Sequence, residues 1–146
     1  MSIIQMGEEL IGHPSTAINE LVKNAYDADA LECVVYVHID EEKSFVIIHD
    51  NGNGMSSEIL FGDWLRPSAS AKRAPNAKSE VFGRSFLGSK GIGRLAAMAL
   101  GKVLTVISKQ EKDESYNWLS LKSSLFQSDK LLSDIDFPGD TIHDYR

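Results

Sequence analysis

The segment Glu20-Leu21-Val22-Lys23-Asn24-Ala25-Tyr26-Asp27-Ala28 constrains this chain more than any other. It holds good helix formers with no Gly or Pro inside it, and Pro14, Ser15 and Thr16 stand upstream as cap candidates. At about 100° per residue, Ile18, Leu21, Val22 and Ala25 form one apolar stripe. Glu20, Asn24 and Asp27 fall on the opposite side, at i, i+4 and i+7. An ordinary amphipathic helix sets a salt-bridging Lys or Arg in such a row. This row instead offers oxygen ligands for a hard cation and a base for water.

Size and composition narrow the class. At 146 residues, with 42% hydrophobic and 25% charged residues, the chain predicts one soluble globular domain over 1–146. No apolar run approaches the roughly 20 residues of a membrane span. Met1 to Leu10 carries Glu8 and Glu9 and does not read as a signal peptide. The single cysteine, Cys33, allows no internal disulfide and suits the cytoplasm. Beside Val34 and Val35 it reads as a small buried residue rather than a nucleophile. The net charge of −6 conceals an asymmetry. From Arg66 to Arg94 seven bases (Arg66, Lys72, Arg73, Lys78, Arg84, Lys90, Arg94) face the single acid Glu80, a local +6 that leaves −12 elsewhere. A positive loop in an acidic domain predicts an anionic ligand there, against the plainer reading of a solvated polar loop.

Along the chain, the first helical region runs from Met1 to Ala30 with a break near Gly12 to Pro14. Glu32–Ile39 and Ser44–His49, rich in β-branched residues around Asp40-Glu41-Glu42-Lys43, predict an antiparallel hairpin. A tight turn over Asp50–Gly54 leads to a short helix from Ser56 to Leu65, with Ser56 and Ser57 as cap candidates. Pro67–Phe86 has no apolar period and reads as a long functional loop. Gly88–Gly93 opens an Ala/Leu-rich helix ending near Gly101, followed by a second hairpin of Lys102–Ser108 and Tyr116–Leu121. Lys122–Arg146 is polar and poorly periodic. This order predicts an α+β sandwich with helices on one face of a mostly antiparallel sheet.

Two glycine-rich motifs carry chemistry. Asp50-Asn51-Gly52-Asn53-Gly54 follows the strand Phe45–His49. Its plain reading is a β-turn. Its functional reading is a carboxylate that accepts a hydrogen bond from an exocyclic amine such as adenine's, with glycines admitting a planar ligand. Gly88-Ser89-Lys90-Gly91-Ile92-Gly93 stands at a helix start, where free N–H groups, the helix dipole and Lys90 favour phosphate. It is not a Walker A loop, because Lys90 is followed by Gly91. Gly91-Ile92-Gly93-Arg94-Leu95-Ala96 matches a dinucleotide fingerprint, but no strand precedes it and no strand–turn–helix–strand unit opens the chain.

In sequence order, an E-x-x-x-N-A-x-D-A helix, a D-x-G-x-G strand end, a basic loop and a G-x-K-G-I-G helix start resemble the GHKL ATPase superfamily. That superfamily comprises gyrase B, heat-shock chaperones of the ninety-kilodalton class, histidine kinases and MutL. The resemblance runs from Ala17 to Ser108. It implies a Bergerat-type two-layer sandwich, with helices on one face of a mixed, mostly antiparallel sheet and ATP under a lid spanning about residues 66–90. Glu20 then matches the general base for water attack, and Asn24 the ligand of a Mg2+ cofactor. Asp27 and Ala28 match supporting positions of that helix. Asp50 matches the adenine-recognising aspartate, with Gly52, Gly54 and Met55 shaping its pocket. Gly88, Ser89, Lys90, Gly91, Ile92 and Gly93 match the phosphate loop.

Kinase members typically have Asn where this chain has Glu20, so the resemblance favours hydrolysis over transfer to a histidine. None of His13, His38, His49 or His143 lies in a recognisable phosphoacceptor helix. Trp64-Leu65-Arg66-Pro67-Ser68 and Lys90–Arg94 look most like bacterial chaperone-like and MORC-like ATP-binding proteins. The family's sheet-closing Gly-Thr strand has only Gly139-Asp140-Thr141-Ile142 as a counterpart, and its transducer domain has none. The expected activity is magnesium-dependent ATP hydrolysis with lid closure driving a conformational or dimerisation switch. The alternatives are a nucleotide-binding interaction module with negligible turnover and a histidine-kinase-like domain. Partners implied by the resemblance are a second copy of the chain, further C-terminal domains or a client protein. A nucleic-acid surface on the lid is disfavoured, because only Phe82 and Phe86 interleave its charges.

Overall fold

Pro14 starts the first described helix because its ring presets helical φ and its missing N–H has no partner to lose in a first turn. A computed structural model of the chain describes residues 13–63, 76–88, 97–98, 100–122, 124 and 139–142. Helix α1 runs over Pro14–Asp27. Its N-cap is His13, whose Nδ1 accepts the Ser15 N–H at 3.3 Å, so the cap lies one residue before the expected Pro14, Ser15 and Thr16. The buried line also differs from the expected stripe. Ala17 and Ala25 are almost wholly buried, whereas Val22 is 36% exposed. Positions 17, 21 and 25 repeat every four residues, which sets the inward line, and Val22 lies about 100° off Leu21.

The helix ends in a Schellman arrangement. The Ala30 N–H bonds Ala25 O at 3.0 Å and the Asp29 N–H bonds Tyr26 O at 3.1 Å. Asp29 takes the left-handed position, φ 62°, where glycine is usual. Strands β1 (Cys33–His38) and β2 (Phe45–Asp50) then pair antiparallel, with Cys33 opposite Asp50 and His38 opposite Phe45. Ser44 Oγ bonds both the N–H and the carbonyl of Asp40 and closes their turn. Cys33 is half-buried rather than buried. Its thiol is held in the protonated form by burial and by the facing Asp50 carboxylate, which agrees with a packing role.

Beyond the Asp50–Gly54 turn, Ser56 caps the next segment through a 3.3 Å bond from the Ile59 N–H. Ser57 and Glu58 open that segment as α-helix and Ile59–Asp63 continue it as a π-helical turn, while Trp64 and Leu65, the end of the expected helix, lie outside the described residues. The π-helical turn sets Leu60, fully buried, against the three-stranded sheet. There β3 (Val103–Ser108) pairs with β4 (Tyr116–Lys122), and β4 with β5 (Gly139–Ile142), all antiparallel. In β4 the alternation is complete: Asn117, Leu119 and Leu121 are buried and their neighbours are not. The Gly139–Ile142 segment is therefore a sheet strand, as its resemblance suggested.

The architecture is α+β with antiparallel strands, as expected. Among the described residues the strand pairs are all antiparallel, in a two-stranded and a three-stranded sheet. No described helix is long and apolar enough to cross a membrane.

Candidate functional site

The C-terminal end of α1 is where three separate pieces of chain converge. Glu20 lies half-buried on this helix, and its Oε1 accepts from Lys23 Nζ at 2.7 Å. The polar row thus has the salt-bridging lysine that its residue spacing had left out, because i+3 as well as i+4 reaches along a helix face. One turn on, Asn24 is exposed to solvent. Asp27 completes the row with a different task. Its two carboxylate oxygens accept the backbone N–H groups of Leu87 at 2.7 Å and Gly88 at 2.9 Å. Gly88 lies so close to the helix that a Cβ there would stand 3.0 Å from Asp27 Oδ2 and 3.5 Å from Asn24 Oδ1. A side chain there would press on the Asp27 carboxylate, so the approach favours glycine. The rest of the expected phosphate loop, Ser89, Lys90, Gly91, Ile92 and Gly93, lies outside the described residues, as do Trp64 and residues 66–75 of the expected lid.

The second piece is the Asp50–Gly54 turn. Asp50 ends β2, exposed, with Oδ1 accepting the Gly52 N–H at 2.9 Å. The turn is tied to the helix end from both sides. Asn51 Oδ1 accepts the Leu31 and Glu32 N–H groups, each at 2.9 Å, and the Asn53 N–H bonds the Ala28 carbonyl at 2.7 Å. The glycines are needed for contact as much as for turning. A Cβ on Gly52 would come within 2.7 Å of the Ala28 carbonyl oxygen, and one on Gly54, at φ +67°, would overlap the Lys109 carbonyl. Met55 follows, its N–H bonded to Ser108 Oγ at the end of β3 at 2.8 Å.

The third piece, residues 76–88, was expected to be aperiodic loop. It contains a closed turn in which Lys78 bridges Ser85, the Ser79 N–H bonds Arg84 O at 2.9 Å and the Arg84 N–H bonds Ser79 Oγ at 2.8 Å. Asp29, which sequence reasoning passed over, and Arg84, which it counted only towards a positive loop, fasten it. Asp29, buried, accepts from the N–H groups of Val81 at 2.9 Å and Phe82 at 3.3 Å, and from Asn53 Nδ2 at 3.3 Å. Burial pushes its carboxyl up. The bonds from the Ser79 hydroxyl, the two backbone N–H groups and Asn53 outweigh that, and the net shift is below the ordinary aspartate value. Arg84 Nη1 donates to Tyr26 O at 3.2 Å and Ala30 O at 2.8 Å. Its guanidinium lies over the Tyr26 ring at 4.6 Å and the Phe82 ring at 4.9 Å. Asp29 had one readable signal, a residue tolerant of the left-handed region just past the helix. Arg84 had none, since its carbonyl partners lie 58 and 54 residues away.

The site thus presents hard oxygen donors on a helix, a carboxylate at a strand end and a glycine backed onto both Asn24 and Asp27. A match to the model of the "Histidine kinase-, DNA gyrase B-, and HSP90-like ATPase" family covers residues 13–143. The chain is 39% identical, over 61% of its length, to a Herpetosiphon aurantiacus protein provisionally named type II restriction enzyme HgiDII. It is 28% identical over 77% of its length to the chaperone protein HtpG of Shouchella clausii. It is 33% identical over 70% of its length to the DNA mismatch repair protein MutL of Beijerinckia indica. The aligned parts span 14%, 19% and 15% of those relatives, so the chain covers less than a fifth of each.

Proposed function

Since the chain belongs to the histidine kinase-, DNA gyrase B- and HSP90-like ATPase family, we propose that it binds ATP at the C-terminal end of α1 and hydrolyses it with magnesium. The observation that carries this reading is the approach of Gly88 to Asp27 and Asn24, which brings the first residue of the expected phosphate loop beside the polar row of the helix. Asp50 takes the adenine amine, with Gly52, Gly54 and Met55 around it. Gly88 leads the phosphates into the loop that continues through Lys90. Asn24 offers a carboxamide oxygen for the metal.

Among the described residues no three His, Cys, Asp or Glu side chains cluster as a metal cage. One carboxamide oxygen supplemented by phosphate oxygens and water suits Mg2+, which binds through few protein ligands. The bound ion would draw charge from the phosphate oxygens. Glu20 orients and deprotonates the attacking water.

Glu20→Ala is expected to abolish phosphate release while calorimetry still detects ATP binding, and Asp50→Ala to abolish binding itself. Wild-type turnover in Glu20→Ala would remove the general-base assignment. One observation favours a second reading, a nucleotide-binding switch with negligible turnover: the 2.7 Å ion pair with Lys23 engages the carboxylate that water needs. ATP binding without phosphate release in the presence of magnesium would select it. Lid closure on ATP, with dimerisation as its output, completes the proposal, and light scattering with a non-hydrolysable analogue reads it. A cytoplasmic setting and further domains or partner proteins belong to the same proposal.

A further inference from the structure

We propose that Arg84 is a positioning residue for the phosphate edge of this site: its Nη1, donating to the carbonyls of both Tyr26 and Ala30, fixes the segment that presents Gly88 to Asn24 and Asp27. The inference rests on the ATP-site reading. Its structural half does not depend on it.

A guanidinium clamped at a helix end has an ordinary role as a C-cap, because the last carbonyls are unpaired and carry the negative end of the dipole. Three features go beyond that role. First, the Tyr26 carbonyl already accepts the Asp29 N–H and the Schellman bond already uses Ala25 O, so the helix end is closed before Arg84 arrives. Second, the guanidinium is held between two rings, Tyr26 on the helix and Phe82 on the loop. A planar cation between two rings joins them, where a simple cap would need only the carbonyls. Third, the turn that carries Arg84 is closed on itself by Ser79 and bonded to Asp29 at Val81 and Phe82. The clamp therefore fixes a rigid unit, and only Ser85 and Phe86 separate Arg84 from the Leu87 and Gly88 amides that Asp27 receives. A loop held at both ends in this way leaves Gly88 little freedom to move away from Asn24. Small displacements of a group that positions substrate are costly, so this distance is one the protein has reason to hold.

The test uses the full chain with Arg84→Ala and Arg84→Lys. The lysine variant keeps a cation able to donate to the carbonyls but loses the planar guanidinium over the two rings, and guards against a simple failure to fold. Amide hydrogen exchange without nucleotide reads the clamp. Leu87 and Gly88 are expected to exchange at least about tenfold faster in Arg84→Ala, the scale of one lost charged hydrogen bond, while the β3–β4 amides stay unchanged. Calorimetry with ATP and with adenosine then reads the site. ATP affinity falls by about tenfold, and adenosine affinity, which rests on the Asp50 side, does not. Arg84→Lys shows the same selective loss at smaller size.

A general structural defect would weaken both ligands alike, and that outcome overturns the proposal. Unchanged exchange at Leu87 and Gly88 overturns it as well. If the wild-type chain binds neither ATP nor adenosine, the ATP-site reading fails, and the exchange arm alone still decides whether Arg84 holds Gly88.

Discussion

Asp29 shows how one residue sets where a distant segment lies. Its φ of 62° is a conformation that glycine adopts more freely, so the backbone alone would favour Gly. The carboxylate explains the choice, because it gathers the Val81 and Phe82 amides, the Ser79 hydroxyl and the Asn53 amide at one point. Asp29→Gly is therefore expected to keep the end of α1 and release residues 79–84, seen as fast exchange at Val81 and Phe82 with helix amides unaffected. The pH dependence follows from the same bonds. A folded-state pKa below the ordinary value of 3.8 means the carboxylate is stabilising above that value and loses its contribution as pH falls beneath it. Protection of Val81 and Phe82 should hold at pH 5 and decline below pH 3.8. A decline already complete near neutrality would point to another group.

At the scale of elements, the Asp50–Gly54 turn is a joint between the helix end and the second hairpin. Asn51 and Asn53 bind it to residues 28–32, and Gly54 and Met55 press it against Ser108 and Lys109. Gly54→Ala combines a disfavoured φ with overlap on the Lys109 carbonyl, and should cost about 2–3 kcal/mol in denaturant unfolding. Gly62→Ala is the control, because a Cβ there meets nothing within 4 Å and Ala favours a helical segment. Equal, small effects of the two would mean that the joint yields. The hairpins themselves were legible from alternating β-branched residues around polar turns, to within a residue or two at each end. The π-helical turn at Ile59–Asp63 was not, since the residue pattern there is that of an ordinary α-helix.

For the molecule as a whole, the ATP-site reading ties three chain segments into one ligand-dependent unit. Saturating ATP analogue with magnesium, at about a hundred times Kd, should stabilise it by about 2.7 kcal/mol. Asp50→Ala should erase the resulting rise in Tm. A rise that survives Asp50→Ala would place the nucleotide elsewhere. The sequence alone determined what short-range chemistry encodes: the Glu20–Asn24–Asp27 row from helical period, the two hairpins from alternation, Asp50 and its glycines from turn chemistry, and the family from their order. Only the tertiary structure decided which distant groups those residues meet. Lys23 occupies Glu20, Asp27 holds Leu87 and Gly88, Asp29 collects the turn over residues 79–84, and Arg84 spans the helix end. Periodicity fixes the face a side chain shares along its own element. Its partner across some 50 or 60 intervening residues depends on how the elements pack, and a local pattern carries no record of that.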